Sequence, residues 1–182
     1  NEKIICHISN FRKVKRIQDV LAAFEIISKK IAVKLILVGD GPERSSLERL
    51  SRESVYSNHI HYLGSLKSTK EVLNISDIFF LPSLTESFGL SALEAMACSV
   101  PVISTKTGGI PEVVVHGESG MLSNVGDFKN MAKNALKMLS NEHQLNKFKA
   151  NALKQAQKFD VKKILPLYEK LYEDCIEGHF NK

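Results

Sequence analysis

Glu86 and Glu94 stand with seven residues between them in Pro82-Ser83-Leu84-Thr85-Glu86-Ser87-Phe88-Gly89-Leu90-Ser91-Ala92-Leu93-Glu94-Ala95-Met96-Ala97. The first follows an apolar run; the second lies inside the helical pattern after it. Leu90–Ala97 is apolar almost all round, the mark of a buried helix. On a wheel of roughly 100° per residue, Glu94 projects about 40° from Leu90, at the edge of the Leu90/Leu93/Ala97 stripe. A carboxylate there is costly to desolvate unless something hydrogen-bonds it. Glu86 comes just before the same helix, whose positive end favours a negative charge. Two acidic groups therefore converge on one strand end. The plain structural alternative is that Glu86 caps the helix and Glu94 pairs with an Arg or Lys.

Three other loops could touch a ligand. Ser9-Asn10-Phe11-Arg12-Lys13-Val14-Lys15-Arg16 puts four basic residues within five positions, just before a helix start. Basic side chains beside a helix's positive end suit phosphate groups, although alone the stretch reads as a solvated helix start. Gly39-Asp40-Gly41-Pro42 begins like a dinucleotide fingerprint but lacks its third glycine and its downstream acidic residue. It predicts a tight turn that could lie close to a flat ligand, with Pro42 suited to the first turn of the next helix. Gly108-Gly109 follows another strand and is either a source of positive φ and exposed N–H groups or a plain tight turn. His7, His59, His61, His116, His143 and His179 lie in no recognisable catalytic motif, and structural or surface roles are expected for each.

The elements that position these loops alternate. Strands are expected at Lys3–Ile8, Val33–Val38, Ile60–Leu63, Ile78–Leu81, Val102–Thr105 and Gly120–Leu122. Between them come a helix carrying Ile17, Val20, Phe24, Ile27 and Ile31 on one face, a helix over Glu43–Glu53, and one opened by Ser68-Thr69-Lys70-Glu71 at capping-box spacing. Leu90–Ala97 and a turn or two at Pro111–Val115 follow, and then three amphipathic helices over Phe128–Leu139, Glu142–Phe159 and Val161–Cys175, the last holding Pro166, which should kink it. Strands alternating with helices at this spacing imply right-handed crossovers and a parallel sheet covered on both faces. The expected fold is one three-layer α/β/α Rossmann-like domain over residues 1–182 with a helical C-terminal tail. Ligands then bind beyond the strands' carboxyl ends, where these loops lie.

Composition narrows the function classes. At 182 residues, 43% hydrophobic and 25% charged, the chain suits a globular domain and argues against disorder, collagen or a coiled coil. The net charge of +5 favours acidic ligands, but the lysines are spread out and Trp is absent, so nucleic-acid binding is not expected. The uncharged, largely apolar run Ala95–Thr105 is too short to cross a bilayer, and the first residues lack the apolar segment of a secretory signal. Cys6, Cys98 and Cys175 are isolated, with no Cys-x-x-Cys pair, and fit a reducing cytoplasm as small core residues. A soluble cytoplasmic protein is expected; the sequence leaves a homodimer open.

The Glu86-x7-Glu94 stretch resembles the signature of family-four retaining glycosyltransferases of GT-B architecture. The likeness extends to Val38-Gly39-Asp40-Gly41-Pro42, Gly108-Gly109-Ile110-Pro111-Glu112-Val113-Val114 and His116-Gly117-x-x-Gly120, and corresponds to that family's C-terminal, nucleotide-sugar-binding domain. His7–Arg16 is similar to the branch that begins bacillithiol synthesis, which implies UDP-N-acetylglucosamine as donor and L-malate as acceptor. Many relatives carry a Gly-Arg pair where this chain has Ser9-Asn10, so Arg12 would supply the guanidinium. The resemblance implies that Glu86 bonds a hydroxyl of the donor sugar and Glu94 the ribose hydroxyls. Ser87, Phe88, Gly89 and Leu90 would approach sugar and diphosphate through the backbone, and Gly39, Gly41, Pro42 and Leu63 would frame the uracil. Arg12 and Lys15 would balance the departing diphosphate's charge; no Asp-x-Asp motif is present to hold a metal, and no metal or other cofactor is expected. The acceptor, a small molecule such as L-malate or a glycan, would be bound by an N-terminal domain absent from this chain, which should bind nucleotide without turnover. The alternatives are an epimerase-like domain acting on UDP-N-acetylglucosamine, or a non-catalytic nucleotide-sugar-binding or interaction module.

Overall fold

The computed structural model describes residues 2–177. Six strands form one sheet in the order β3-β2-β1-β4-β5-β6. They are β1 (Lys3–Ile8), β2 (Val33–Val38), β3 (Ile60–Gly64), β4 (Ile78–Leu81), β5 (Val102–Thr105) and β6 (Gly120–Ser123), and every pairing is parallel. Helices α1 (Ile17–Ser28), α2 (Arg44–Arg52), α3 (Lys70–Ile75), α4 (Leu90–Ala97), α5 (Ile110–Val113), α6 (Phe128–Leu139), α7 (Glu142–Ala156) and α8 (Val161–Ile176) complete the chain.

The alternation of side chains along each strand divides the core in two. Ile5, Leu35, Phe80, Ile103 and Met121 face α1 and α6, whereas Cys6, Ile36, Phe79, Val102 and Leu122 face the layer that includes α4 and α7. Continuous apolar strands such as Ile78–Leu81, buried at every position, are what a sheet covered on both faces requires. The three-layer α/β/α reading of the sequence is therefore the observed architecture. Its last element, α8, buries none of its residues. Among the described residues no helix is long and apolar enough to cross a membrane.

Several local expectations shift. The first helix ends at Ser28, short of Ile31, which still packs on the core. The long helix expected to Phe159 stops at Ala156 and passes into a 3-10 turn, Gln157–Phe159. At the expected capping box, Thr69 takes the cap position without a side-chain bond, and the Ser68 hydroxyl donates to Glu71 Oε2 at 2.8 Å. Cys6 is buried as expected of a core thiol, but Cys175 is exposed.

One feature of the topology positions the site. From β1 the chain builds outward through β2 and β3, then returns to β1's other side for β4, β5 and β6. The connections leaving β1 and β4 therefore diverge, and a crevice opens at the carboxyl ends of those two strands.

Candidate functional site

That crevice is a cleft of ≈ 420 Å³ walled by Ile8, Ser9, Asn10 and Lys15 from the β1 side and by Glu86–Ser91 and Glu94 from the β4 side. Lys15 reaches it because Lys13–Lys15 forms a 3-10 turn closed by Arg16 in a left-handed conformation (φ 48°). Arg16 is itself held by a two-point contact with Asp19, at 2.7 and 3.2 Å. The turn is tied to the opposite wall by the Leu84 N–H, which donates to the Val14 carbonyl at 2.7 Å.

Across the cleft Lys15 Nζ donates to Glu86 Oε2 at 2.7 Å, with side chains 18% and 16% exposed. The Ser83 hydroxyl donates to the same oxygen at 3.0 Å. Glu86 does not cap α4: the cap residue is Gly89, in a left-handed conformation, and no side chain bonds the helix start. The first N–H groups of α4 thus lie outside the i→i−4 ladder, and those of Leu90 and Ser91 meet no acceptor among the described residues.

The expectation that α4 is buried all round is overturned. Ala92, Ala95 and Met96 form its core face, while Leu90 is 66% exposed and Glu94 and Ala97 lie open on the other side. Glu94 is therefore exposed and has no ion-pair partner among the described residues. Its carboxylate stands free at the cleft wall.

The loop that carries Glu86 is fixed from the neighbouring strand end. Ser104 Oγ donates to the Leu81 carbonyl at 2.7 Å, Thr105 Oγ1 to the Ser83 carbonyl at 2.6 Å and Thr107 Oγ1 to the Leu84 carbonyl at 2.9 Å. The Gly109 N–H donates to the Glu86 carbonyl at 3.1 Å. Gly108 has φ 51°, and a Cβ there would run into the Glu86 carbonyl oxygen. The Gly108-Gly109 pair thus lets two loops pack backbone on backbone.

Gly39 and Gly41 serve a similar end on the other side. A Cβ at Gly39 would strike the Ser9 carbonyl, and one at Gly41 the Phe11 backbone. The backbone lying close to this turn is the chain's own Ser9–Phe11. Hydrogen bonds from Phe11 N to the Asp40 carbonyl and from Glu43 N to the Phe11 carbonyl hold the two loops together. Gly39, Gly41, Pro42 and Leu63 are not among the cleft's lining residues, and neither is Arg12. Arg12 is exposed, and its guanidinium is unpartnered among the described residues. The structure brings together Lys15, Glu86, Ser87, Phe88, Gly89, Leu90 and Glu94.

Behind the cleft, His7 is fully buried and bridges the neighbouring strands β1 and β4. Its Nδ1 lies 2.8 Å from the Phe80 carbonyl and its Nε2 2.7 Å from Ser9 Oγ. A carbonyl only accepts, so Nδ1 carries the proton and the Ser9 hydroxyl donates to Nε2. A structural role fits the expectation for His7; His179 lies outside the described residues. Sequence reasoning did not find Ser9, Ser83 or Thr105. The available signal was hydroxyl residues at three strand ends, where a buried hydroxyl must find an acceptor. Among the described residues no group of three or more His, Cys, Asp or Glu side chains could hold a metal ion.

Residues 1–155 match the family described as glycosyl transferases group 1. The chain is 43% identical over all 182 residues to N-acetyl-alpha-D-glucosaminyl L-malate synthase of Bacillus anthracis, of which it covers 48%. Sucrose-phosphate synthase from Thermosynechococcus elongatus matches 98% of this chain with 46% of its own, at a TM-score of 0.88 and 26% identity. HepE of Anabaena, solved in complex with UDP-glucose, matches 95% of this chain with 49% of its own, at a TM-score of 0.83 and 26% identity. The chain spans less than half the length of the curated relatives it matches.

Proposed function

The chain belongs to the glycosyl transferases of group 1, and from that premise we propose that it is the nucleotide-sugar-binding part of a retaining hexosyltransferase. The donor is UDP-N-acetylglucosamine and the acceptor L-malate or a glycan, a choice supported by the 43% identity to a protein named N-acetyl-alpha-D-glucosaminyl L-malate synthase. The observation that carries the reading is the cleft itself. A lysine, a carboxylate with an unengaged oxygen, free N–H groups at the start of α4 and an unpaired second carboxylate meet at the point where the strand order reverses.

Each part has a task in transfer. As the bond from sugar to diphosphate breaks, negative charge grows on the leaving group, and groups already aimed at it lower the barrier. Lys15 and the N–H groups of Leu90 and Ser91 supply that stabilisation, with Arg12 entering from the rim. Glu86 accepts a hydrogen bond from a hydroxyl of the sugar and Glu94 from the ribose hydroxyls, while Ser87–Leu90 line the sugar and diphosphate with backbone. Gly39, Gly41, Pro42 and Leu63 frame the uracil beyond the cleft. The charge is balanced in this reading by protein groups rather than by a metal. The acceptor is held by residues outside this chain, and the free thiols of Cys6, Cys98 and Cys175 suit work in the cytoplasm.

Calorimetric titration with UDP, UDP-N-acetylglucosamine, GDP-mannose and ADP-glucose tests the reading: the uridine nucleotides should bind selectively, with and without magnesium. Glu94→Gln should weaken UDP itself by roughly tenfold, the cost of one hydrogen bond to a charged group, and Glu86→Gln mainly the sugar-bearing form. Equal weakening of both ligands by both changes would refute that division.

A further inference from the structure

Glu86 is held through one oxygen. Oε2 receives Lys15 Nζ at 2.7 Å and Ser83 Oγ at 3.0 Å, whereas Oε1 meets no donor among the described residues. Ser83 is fully buried, so it cannot touch a ligand. Its carbonyl is pinned by Thr105 Oγ1 at 2.6 Å, and its hydroxyl has Glu86 as its partner. A buried hydroxyl at the end of the wholly apolar β4 adds nothing to packing that alanine would not. What it adds is a second donor on Oε2, which with the lysine fixes both the rotation of the carboxylate and the identity of its free oxygen.

We propose that Ser83 is a positioning residue for donor-sugar recognition: with Lys15 it occupies Glu86 Oε2, so that Oε1 alone accepts the sugar hydroxyl. The lysine–glutamate pair then stays intact when donor binds, and Lys15 turns its remaining N–H groups toward the diphosphate. This proposal rests on the donor-site reading above and adds to it the residue that aims Glu86.

Titration of the chain with UDP and with UDP-N-acetylglucosamine, in wild type, Ser83→Ala, Glu86→Ala and the double variant, tests it. Ser83→Ala should leave UDP affinity within about twofold and weaken UDP-N-acetylglucosamine roughly tenfold, the scale of one lost hydrogen bond to a charged acceptor. In the Glu86→Ala background the serine change should alter neither affinity further, an outcome a merely structural role would not give. Ser83→Cys, which keeps the shape with a slightly larger atom and weakens the donor, should reproduce the same split if the alanine variant folds poorly. Equal weakening of both ligands, or a serine effect that persists without Glu86, would overturn the proposal. A wild-type chain that binds neither ligand overturns the donor-site reading and the proposal with it, whereas normal wild-type binding with an unmoved ratio in both serine variants overturns the proposal alone.

Discussion

His7 shows how a single buried side chain can set a property of the whole chain. Burial is the main cause that pushes its imidazole down from 6.5 to about 4; the Phe80 carbonyl opposes this, Lys15 reinforces it and Glu86 counters it. The unfolded chain therefore binds a proton between those two values that the folded chain does not. The resulting stability is fully present above pH 6.5 and is lost as the pH falls toward 4, a change of about 3 kcal/mol over the interval. Denaturant unfolding between pH 7.5 and 4.5 should show that fall, and His7→Gln should flatten it in proportion to the one proton removed. A slope unchanged by His7→Gln would place the proton uptake elsewhere. Cys6 is another buried titratable group: burial pushes its thiol up to about 12, with the neighbouring Ser76 opposing the shift. It should resist alkylation in the folded chain while the exposed Cys175 reacts.

At the scale of elements, the loop from Pro82 to Gly89 depends on a neighbour that never enters the cleft. Gly108→Ala would place a methyl group against the Glu86 carbonyl at a left-handed φ. The expected result is a loss of about 1–3 kcal/mol in stability together with loss of UDP-N-acetylglucosamine binding, read by thermal melting and titration. Retained donor affinity would mean that the loop adjusts without moving Glu86. The strands were legible in the sequence because apolar runs such as Val33–Val38 and Ile78–Leu81 end on glycine, proline or charge. The exposure of α4 was not, because an apolar residue such as Leu90 looks the same in sequence whether it faces a core or an open cleft. Nor was the 3-10 turn at Lys13–Lys15, closed by an arginine rather than a glycine at φ 48°. Lys15 and Glu86 were each visible as charges, but the ion pair between them spans 71 residues, and no local pattern reports such a partner. Ser83 was passed over for a related reason: its role depends on the direction of one hydroxyl.

The whole molecule is unevenly knit. One sheet end is tied by Asp77, whose carboxylate accepts the Ile4 N–H at 3.0 Å and Lys149 Nζ at 3.0 Å, close to Lys3, which pairs with Glu142. By contrast α8 exposes Val161, Leu165, Tyr168, Tyr172 and Ile176 and buries none of its residues. A chain ending at Phe159 should keep the sheet's cooperative unfolding and a melting temperature within a few degrees of the parent, because little buried apolar surface is lost. A collapse of cooperativity on that truncation would show that α8 supports the domain in a way its exposure does not suggest. The reversal of strand order between β1 and β4 also has a temporal side. β1 finds β2 within the first 38 residues, but the His7–Phe80 and Lys15–Glu86 contacts wait until β4 arrives beside it, and the buttress at Gly108 waits for β5. Distant contacts of this kind close late, after their loop entropy has been met. A growing chain thus completes the β1–β2–β3 half of its sheet before the cleft between β1 and β4 exists. Ligand affinity, followed through refolding, should be among the last properties to return, which makes occupancy of the cleft a clock for the end of folding.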